Sequence, residues 1–240
     1  MYKLIENIVY EVDRKIENFS FTKSILAGFY ISLGFLLSAN ISGIIPKPYS
    51  ILAVGLTFGI GITLIVFATA ELFTGNVLLF GIYMDNPVNK PYQLSKSILL
   101  CYVGNFVGAL VFSTMAFLSG SLNNNVVLYV SETIAKKIQY TSGQLLFKAI
   151  LCNIVVCLLI WCIRRTKSDT AKILIIVWCI TLFIVCGFEH SIANMVLFQV
   201  GYILNLVELN TAIHNLAYVT WGNIIGGLLV AYVYTRAGRD

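Results

Sequence analysis

The stretch TLFIVCGFEHSIANMVLFQV, residues Thr181–Val200, decides how this chain folds. It is apolar over a length that would cross a bilayer, yet Glu189 and His190 stand in its middle. An ionised side chain at mid-bilayer depth costs about 2.5–3.5 kcal/mol on insertion scales, so such residues mark a functional region. Because non-helical backbone is tolerated at that depth only against protein or a water-filled cavity, we expect an interrupted helix beside a passage.

A second stretch, VFATAELFTGNVLLF at 66–80, repeats this pattern. In each stretch a glutamate is followed after five residues by an asparagine, and after 34 residues by the asparagine of a Gly-Asn pair. These residues are Glu71, Asn76 and Asn105 in the first copy, and Glu189, Asn194 and Asn223 in the second. The spacing predicts a duplicated membrane pore, with the two interrupted segments facing each other at its centre.

Composition places the chain in a membrane. The 240 residues are 58% hydrophobic and 11% charged, with a mean hydropathy of +0.86, whereas a soluble domain carries roughly 25% charged residues. The apolar residues fall into blocks near the ~20 residues that cross a bilayer. We predict an all-α membrane protein with six transmembrane helices, of which the second and fifth are broken. The predicted spans are 24–44, 51–84, 97–119, 144–163, 172–206 and 213–235.

The rest of the composition excludes several classes of function. The six cysteines lie inside apolar blocks without a CxxC pair, and two histidines offer little to a metal site. The motifs HExxH and GxSxG, which would suggest an intramembrane enzyme, do not occur. The net charge of +5 is explained by membrane topology, so nothing indicates nucleic acid. We therefore expect no metal, no cofactor and no enzymatic activity.

Charge patterning predicts the domains and their orientation. Residues 1–23 are expected to form an amphipathic cytoplasmic helix, followed by the pore domain at 24–235 and a cytoplasmic tail at 236–240. The segments on one side of the spans hold Lys3, Arg14, Lys15, Lys23, Lys90, Lys96, Arg164, Arg165, Lys167, Lys172, Arg236 and Arg239, and those on the other hold only Lys47, Lys136 and Lys137. This bias predicts a cell-membrane protein with both termini in the cytoplasm. Two halves of three spans then form inverted repeats, as in many transport proteins.

The polar residues at the interruptions allow two interpretations. Glu71 and Glu189 either touch a solute or, as we favour, accept hydrogen bonds from freed backbone N–H groups, as a helix cap does. His190 corresponds to Leu72 of the first copy, so it breaks the symmetry. It is either a buried, hydrogen-bonded histidine or a group at the solute whose charge changes near neutral pH. Lys148 either extends its ammonium group to the membrane surface or attracts anions at a pore rim.

The segments AELFTGN at 70–76 and GFEHSIANM at 187–195, followed by GNFVGALVF and GNIIGGLLV, resemble the formate/nitrite transporter family. The resemblance covers all six spans. It implies an aquaporin-like fold and a homopentamer in which each protomer has its own pore. It also implies that the solutes are small monovalent anions such as formate, nitrite or hydrosulfide. Formate-channel relatives commonly have Asp and Ser where this chain has Glu71 and Gly75, so formate specificity does not carry over at those positions.

The resemblance also implies which residues form the pathway: a central histidine with a hydroxyl beside it, two apolar constrictions, polar groups near the pore and a lysine at the outer mouth. The corresponding residues are His190 and Thr74 at the centre, Leu72 and Phe183 in the inner constriction, Phe73, Phe58 and Ile62 in the outer constriction, Asn153, Asn194 and Asn223 as polar groups, and Lys137 or Lys148 at the mouth. Glu71 and Glu189 are kept as structural residues at the breaks.

The desolvation cost of an anion suggests how these residues work. Moving a bare anion through a low-dielectric constriction costs on the order of tens of kcal/mol in the Born limit. A weak acid can instead take a proton and cross as a neutral molecule. We expect lysines and helix-end dipoles to attract the anion, apolar rings to remove its water, and the region of His190 and Thr74 to stabilise its charge or supply the proton. The alternative is an aquaporin-like channel for small neutral solutes, although paired Asn-Pro-Ala segments do not occur.

Overall fold

The computed structural model describes residues 2–85 and 89–238. Within these ranges the chain forms ten α-helices and no strand. The helices are α1 (Tyr2–Glu17), α2 (Phe21–Ile44), α3 (Ser50–Phe67), α4 (Phe73–Met84), α5 (Pro91–Leu118), α6 (Asn124–Lys137), α7 (Ser142–Ile163), α8 (Asp169–Val185), α9 (Ser191–Ile203) and α10 (Leu209–Ala237). The prediction of an all-α protein is confirmed.

Five of the described helices, α2, α3, α5, α7 and α10, are long and apolar enough to cross a membrane. The helices α4 and α9 are apolar but shorter. Each of these two follows another helix after a short connection. Residues 68–72, the first linker, separate α3 from α4, and residues 186–190, the second linker, separate α8 from α9. The two glutamates and the histidine singled out in the sequence therefore lie in the linkers.

Several boundaries differ from the predicted spans. Helix α5 begins at Pro91 instead of 97, because proline suits the first turn of a helix and the polar residues that follow it remain helical. Helix α10 extends beyond 213–235 at both ends. Apolar content marks the part of a helix that can lie in lipid, and it misses polar end turns. Arg239 and the last residues of the predicted tail lie outside the described part of the chain.

Helix α6 was not predicted, because the segment 120–143 is too polar to read as a span. The side chain of Asn123 caps it by accepting a hydrogen bond from the backbone N–H of Val126, at 3.2 Å. Val126, Val130 and Ile134, spaced by four residues, are buried against the bundle. The segment is thus an amphipathic helix, and its last turn ends in Lys136 and Lys137.

Glycines bring two pairs of helices into backbone contact. A Cβ at Gly108 of α5 would lie 1.9 Å from the carbonyl oxygen of Ile25 in α2. A Cβ at Gly226 of α10 would lie 2.3 Å from the carbonyl oxygen of Ile150 in α7. Such close approach, typical of membrane helices, requires residues without a side chain. The backbones of α2 and α5, and those of α7 and α10, therefore lie in direct contact.

Helix α1 packs on the bundle through Ile8, Val12 and Ile16, which are buried. Ion pairs secure its polar side: Glu11 meets Arg164 at 2.7 Å, and Asp13 meets Lys90 at 3.0 Å. The hydrogen bond from Arg164 holds the pKa of the Glu11 carboxyl below its ordinary value, and that from Lys90 does the same for Asp13. The depressed pKa values mean that both carboxylates favour the docked helix only while they are ionised.

We expect α1 to loosen in acid. A carboxyl whose pKa is lower in the folded state contributes stability that is present above its unfolded value of about 4 and lost as the pH falls through the folded value. Amide hydrogen exchange in 2–17, corrected for intrinsic rates, should therefore be faster at about pH 3 than at about pH 6. The Glu11→Gln/Asp13→Asn variant should show a smaller difference. Equal protection of wild-type α1 at both pH values would contradict this.

Candidate functional site

The two linkers have the same backbone course. Thr69 (φ 55°) and Gly187 (φ 65°) turn the chain through the left-handed region directly after α3 and α8. In each linker the next residue returns a hydrogen bond to the preceding helix, Ala70 N–H to the carbonyl of Ile65 (3.0 Å) and Phe188 N–H to that of Phe183 (2.9 Å). Both linkers end in extended backbone, at Leu72 and His190, before α4 and α9 begin.

An asparagine holds the first linker in place. The side-chain oxygen of Asn105, on α5, accepts a hydrogen bond from the N–H of Phe73 at 2.9 Å. This N–H is at the start of α4, where the helix itself provides no acceptor. Its amide nitrogen donates to the carbonyl of Ser24 on α2 (2.8 Å) and to that of Glu71 (2.9 Å). Asn105 is fully buried. Its side chain thus joins α5, α2 and the linker.

Asn223 makes the equivalent contacts at the second linker. Its oxygen accepts from the N–H of Ser191 at 2.8 Å, and its nitrogen donates to the carbonyls of Ala149 on α7 (2.8 Å) and Glu189 (2.9 Å). The oxygen and both amide hydrogens therefore have backbone partners. Asn223 is predicted to present a polar group to the pore. In the structure its side chain binds backbone groups of α7, α9 and the second linker.

The glutamates pair with lysine and asparagine side chains. Glu189, only 1% exposed, meets Lys137 at 2.6 Å and accepts a hydrogen bond from Asn194 at 2.7 Å. Glu71 forms an ion pair with Lys15 of α1 and accepts from Asn76 at 3.0 Å. The N–H groups of Phe73 and Ser191, at the starts of α4 and α9, donate instead to Asn105 and Asn223, and the N–H of Ala193 donates to His190. The helix-cap role favoured for the glutamates is therefore taken by the two asparagines and His190.

His190 and Thr74 connect the second linker to the first turn of α4. The Nε2 atom of His190 lies 2.9 Å from the hydroxyl of Thr74, and both residues are buried. The Nδ1 atom accepts a hydrogen bond from the N–H of Ala193 at 3.2 Å, so it carries no proton. The imidazole is thus assigned as neutral, with its proton on Nε2 and donated to Thr74. Since Thr74 accepts this bond, its own O–H remains available as a donor.

Aromatic rings surround the histidine. Phe183 stacks on the imidazole with ring centroids 5.9 Å apart, and it meets Phe58 edge-on at 6.2 Å. The ring partner of Phe73 is Tyr102, at 4.9 Å. These contacts differ from the predicted grouping, in which Phe183 was paired with Leu72 and Phe58 with Phe73. All of the predicted constriction residues are buried, and they are Phe58, Ile62, Leu72, Phe73 and Phe183.

Two other predicted asparagines lie close to this centre. Asn153, fully buried on α7, donates from its nitrogen to the carbonyls of Thr74 (3.3 Å) and Asn223 (2.5 Å). Its side-chain oxygen is a buried acceptor without a partner among the described residues. Asn194 donates to Glu189 and to Asn215 (2.8 Å), so it belongs to the ion-pair network. Asn153 is therefore the asparagine that offers a free acceptor near Thr74.

Lysines stand at the second linker. Lys148 donates to the carbonyl of Gly187 at 3.1 Å and lies 4.6 Å from the ring centroid of Tyr140. A Cβ at Gly187 would also come within 3.9 Å of the Lys136 ammonium nitrogen. Lys137 is turned towards Glu189, and its side chain is only 14% exposed. Of the two predicted mouth lysines, Lys148 lies against the linker backbone and Lys137 neutralises a buried carboxylate.

A cavity of about 830 Å³ opens on the side of α1 and reaches the first linker. Its inner wall includes Leu72, Gly75 and Ile160. Five basic side chains, those of Arg14, Lys15, Lys23, Arg164 and Lys172, outnumber two carboxylates, Glu11 and Glu71, among the residues that line it. The arrangement would concentrate anions at the entrance to an apolar interior.

Sequence reasoning did not assign Lys15 or Tyr102 to the site. The sequence pattern indicates Lys15 only as a basic residue of an amphipathic helix. The repeated sequence pattern contained a signal for it, since a half-buried Glu71 needs a cation as Glu189 does. Tyr102 donates or accepts a hydrogen bond with Thr220 at 2.8 Å while its ring covers Phe73. Among the described residues, no group of three or more His, Cys, Asp or Glu side chains could hold a metal.

The chain is similar to proteins of known class over most of its length. The formate/nitrite transporter family profile matches residues 1–236. The nitrite transporter NirC of Escherichia coli is 37% identical over 211 residues, covering 85% of this chain and 77% of that protein. The formate channel FocA of Escherichia coli is 33% identical over 242 residues, covering 90% and 85%.

Solved structures give the same result. An FNT family ion channel superposes with a TM-score of 0.91 at 30% identity, covering 99% of both chains. A pentameric formate channel with formate bound superposes with a TM-score of 0.78 at 25% identity, covering 92% of this chain and 96% of that one.

The similarity to a nitrite transporter and a formate channel, over helices that are apolar enough to cross a membrane, defines a membrane transport protein and not an enzyme. Within that class, the chain belongs to the formate/nitrite transporter family.

Proposed function

We propose that the protein conducts small monovalent anions of weak acids, namely formate, nitrite or hydrosulfide, through a pore in each protomer of a homopentamer. In this proposal α3–α4 and α8–α9 are two broken spans, the two halves of the chain are inverted repeats, and both termini are cytoplasmic. The equivalent contacts of Asn105 and Asn223 support the duplication. The relatives described as a nitrite transporter, a formate channel and a pentameric formate channel support the solutes and the assembly.

The observation that carries the proposal is the buried hydrogen bond between His190 and Thr74, which joins the second linker to the start of α4. A neutral carboxylic acid has one acceptor, its carbonyl oxygen, and one donor, its O–H. The free O–H of Thr74 can donate to the first, and the unpartnered oxygen of Asn153 can accept from the second. An anion lacks the donor and would face the Asn153 oxygen unfavourably. The Thr74 hydroxyl and the Asn153 oxygen together therefore favour the protonated solute.

Basic side chains at the two ends of the proposed path attract the anion before it reaches Thr74. The basic side chains of the cavity beside α1, and Lys136 and Lys148 at the second linker, raise the local concentration of the anion. The anion takes up a proton from hydronium in the aqueous vestibule, which leaves water behind, because the neutral imidazole of His190 holds its one N–H proton in the bond to Thr74. The neutral acid then passes Leu72 and Phe183 at a far lower desolvation cost than the anion. His190 thereby orients the Thr74 hydroxyl and does not itself transfer the proton.

The experiment that tests the function is solute flux in proteoliposomes. The purified protein should accelerate the entry of formate, nitrite or hydrosulfide over protein-free vesicles, while stopped-flow water and glycerol permeability stay at the protein-free level. Accelerated water or glycerol entry without anion flux would instead establish the aquaporin-like alternative and overturn the proposal.

We expect Phe183→Ala to relax size selectivity. The ring contacts both Phe58 and His190, so its removal opens space at the narrowest apolar part of the proposed path. Flux of lactate relative to formate should rise by about tenfold, the scale of one-methylene discrimination in an apolar pocket. Phe112→Ala is a matched control, because Phe112 is also buried and pairs edge-on with Phe29. If both variants exclude lactate as the wild type does, Phe183 is no constriction.

A further inference from the structure

Glycine is among the least favourable residues inside a helix, so each helical glycine calls for a physical reason. In most cases the reason here is close packing. A Cβ would come within 3.0 Å of a neighbouring atom at most of the helical glycines that the structure describes, and these are Gly28, Gly34, Gly43, Gly55, Gly61, Gly81, Gly104, Gly108, Gly201, Gly222, Gly226 and Gly227. At these positions a side chain would require the neighbouring backbone or side chain to shift.

Gly75, in the first turn of α4, lacks that reason. A Cβ there would meet only the Cδ1 and Cγ1 atoms of Ile160, both at 3.5 Å, which is ordinary van der Waals contact. Its φ lies outside the left-handed region, so its backbone conformation suits any residue. Neither packing nor conformation therefore requires a glycine here.

The position of Gly75 supplies another reason. Gly75 and Ile160 both line the cavity that reaches the first linker, and Gly75 follows Thr74 directly. A side chain at 75 would fill the gap between α4 and Ile160 at the inner end of this cavity. The missing side chain thus keeps space open where Leu72, Gly75 and Ile160 line the cavity, one residue along the chain from Thr74.

We propose that Gly75 is a size-determining position of the passage. The gap between Gly75 and Ile160 admits monocarboxylic acids one carbon larger than formate, and a methyl group at position 75 excludes them. This inference rests on the proposed function and adds the upper size limit of its solutes. The substitution acts on the ratio of two solute fluxes, which a general loss of folded protein would leave unchanged.

The test compares acetate and formate flux in proteoliposomes of the wild type, Gly75→Ala and Ile160→Val. Gly75→Ala should lower the acetate-to-formate ratio by about tenfold. Ile160→Val removes the Cδ1 atom facing Gly75 and should raise the ratio, and the double variant should return towards the wild type. Gly59→Ala is the matched control. A Cβ at Gly59 would also fit, 3.7 Å from Ile176, but away from the cavity, so the ratio should not change.

The possible results distinguish failure of the size-determining role of Gly75 from failure of the proposed transport function. A wild type that carries formate, with the same ratio in Gly75→Ala and Ile160→Val, would overturn the size-determining role alone. A change of equal size in Gly59→Ala would also overturn it, because the effect would then reflect added helix stability. A wild type that carries neither solute would overturn the proposed function and this inference together.

Discussion

Replacing His190 by asparagine is expected to lower formate flux by about tenfold or more, the scale of one buried hydrogen bond. An asparagine at position 190 still offers a side-chain oxygen to the N–H of Ala193, which is the cap contact that Nδ1 makes now. It is too short to replace the bond from Nε2 to Thr74. The Thr74 hydroxyl would then lose its fixed orientation towards the solute. Flux is measured in proteoliposomes with equal amounts of folded protein.

His190→Ala separates the two contacts of the imidazole. It removes the cap as well as the bond to Thr74, so it should be less stable than His190→Asn by about 1 kcal/mol. Its flux should nevertheless match that of His190→Asn, because both lack the Thr74 contact. Wild-type flux in His190→Asn, with a loss in His190→Ala that follows stability, would show that the histidine is only a helix cap.

Replacing Lys137 by alanine is expected to destabilise the protein by about 3–5 kcal/mol, the cost of leaving a buried charge without its partner. Glu189 is 1% exposed, and its carboxylate meets Lys137 at 2.6 Å. The second change Glu189→Gln should restore most of the loss, because a neutral amide needs no counter-charge and can still accept from Asn194. Thermal unfolding in detergent, followed by tryptophan fluorescence, measures both effects.

Lys47→Ala is the control for this series. Lys47 pairs with Glu132 at 2.7 Å, but the two side chains are 70% and 46% exposed. Such surface pairs contribute about 0–1 kcal/mol, so the variant should unfold close to the wild type. If Lys137→Ala were as mild as Lys47→Ala, or if Glu189→Gln failed to rescue it, the buried pair would not hold the second linker.

The repeated polar pattern allowed the two linkers to be located from the sequence. Glu71 and Glu189 lie in the linkers, and His190 contacts Thr74. Polar side chains within an apolar run avoid lipid and pair with other polar groups, because an unpaired buried polar group is costly. The all-α fold could also be predicted from composition, because the chain is apolar enough to lie in lipid. Lipid leaves the backbone no partner other than its own helix.

Other features could not be read from the pattern. The helix α6 is too polar to resemble a span, and its amphipathic face becomes meaningful only when the bundle it covers is known. The partners of Phe58 and Phe73 depend on how four helices rotate about their axes, which the spacing of apolar residues leaves undetermined when almost every position is apolar. The role of Asn105 and Asn223 as backbone clamps needed the positions of carbonyl groups on neighbouring helices.

The central claim is that a weak acid crosses as a neutral molecule past Thr74 and His190, and the most direct measurement is the lumenal pH of proteoliposomes during formate entry. A pH dye is trapped inside, and an inward formate gradient is applied without an ionophore, beside protein-free vesicles. The account predicts that the protein accelerates acidification of the lumen, because each formate that enters brings a proton. Formate entry that requires potassium and valinomycin, and that leaves the lumenal pH unchanged, would contradict it.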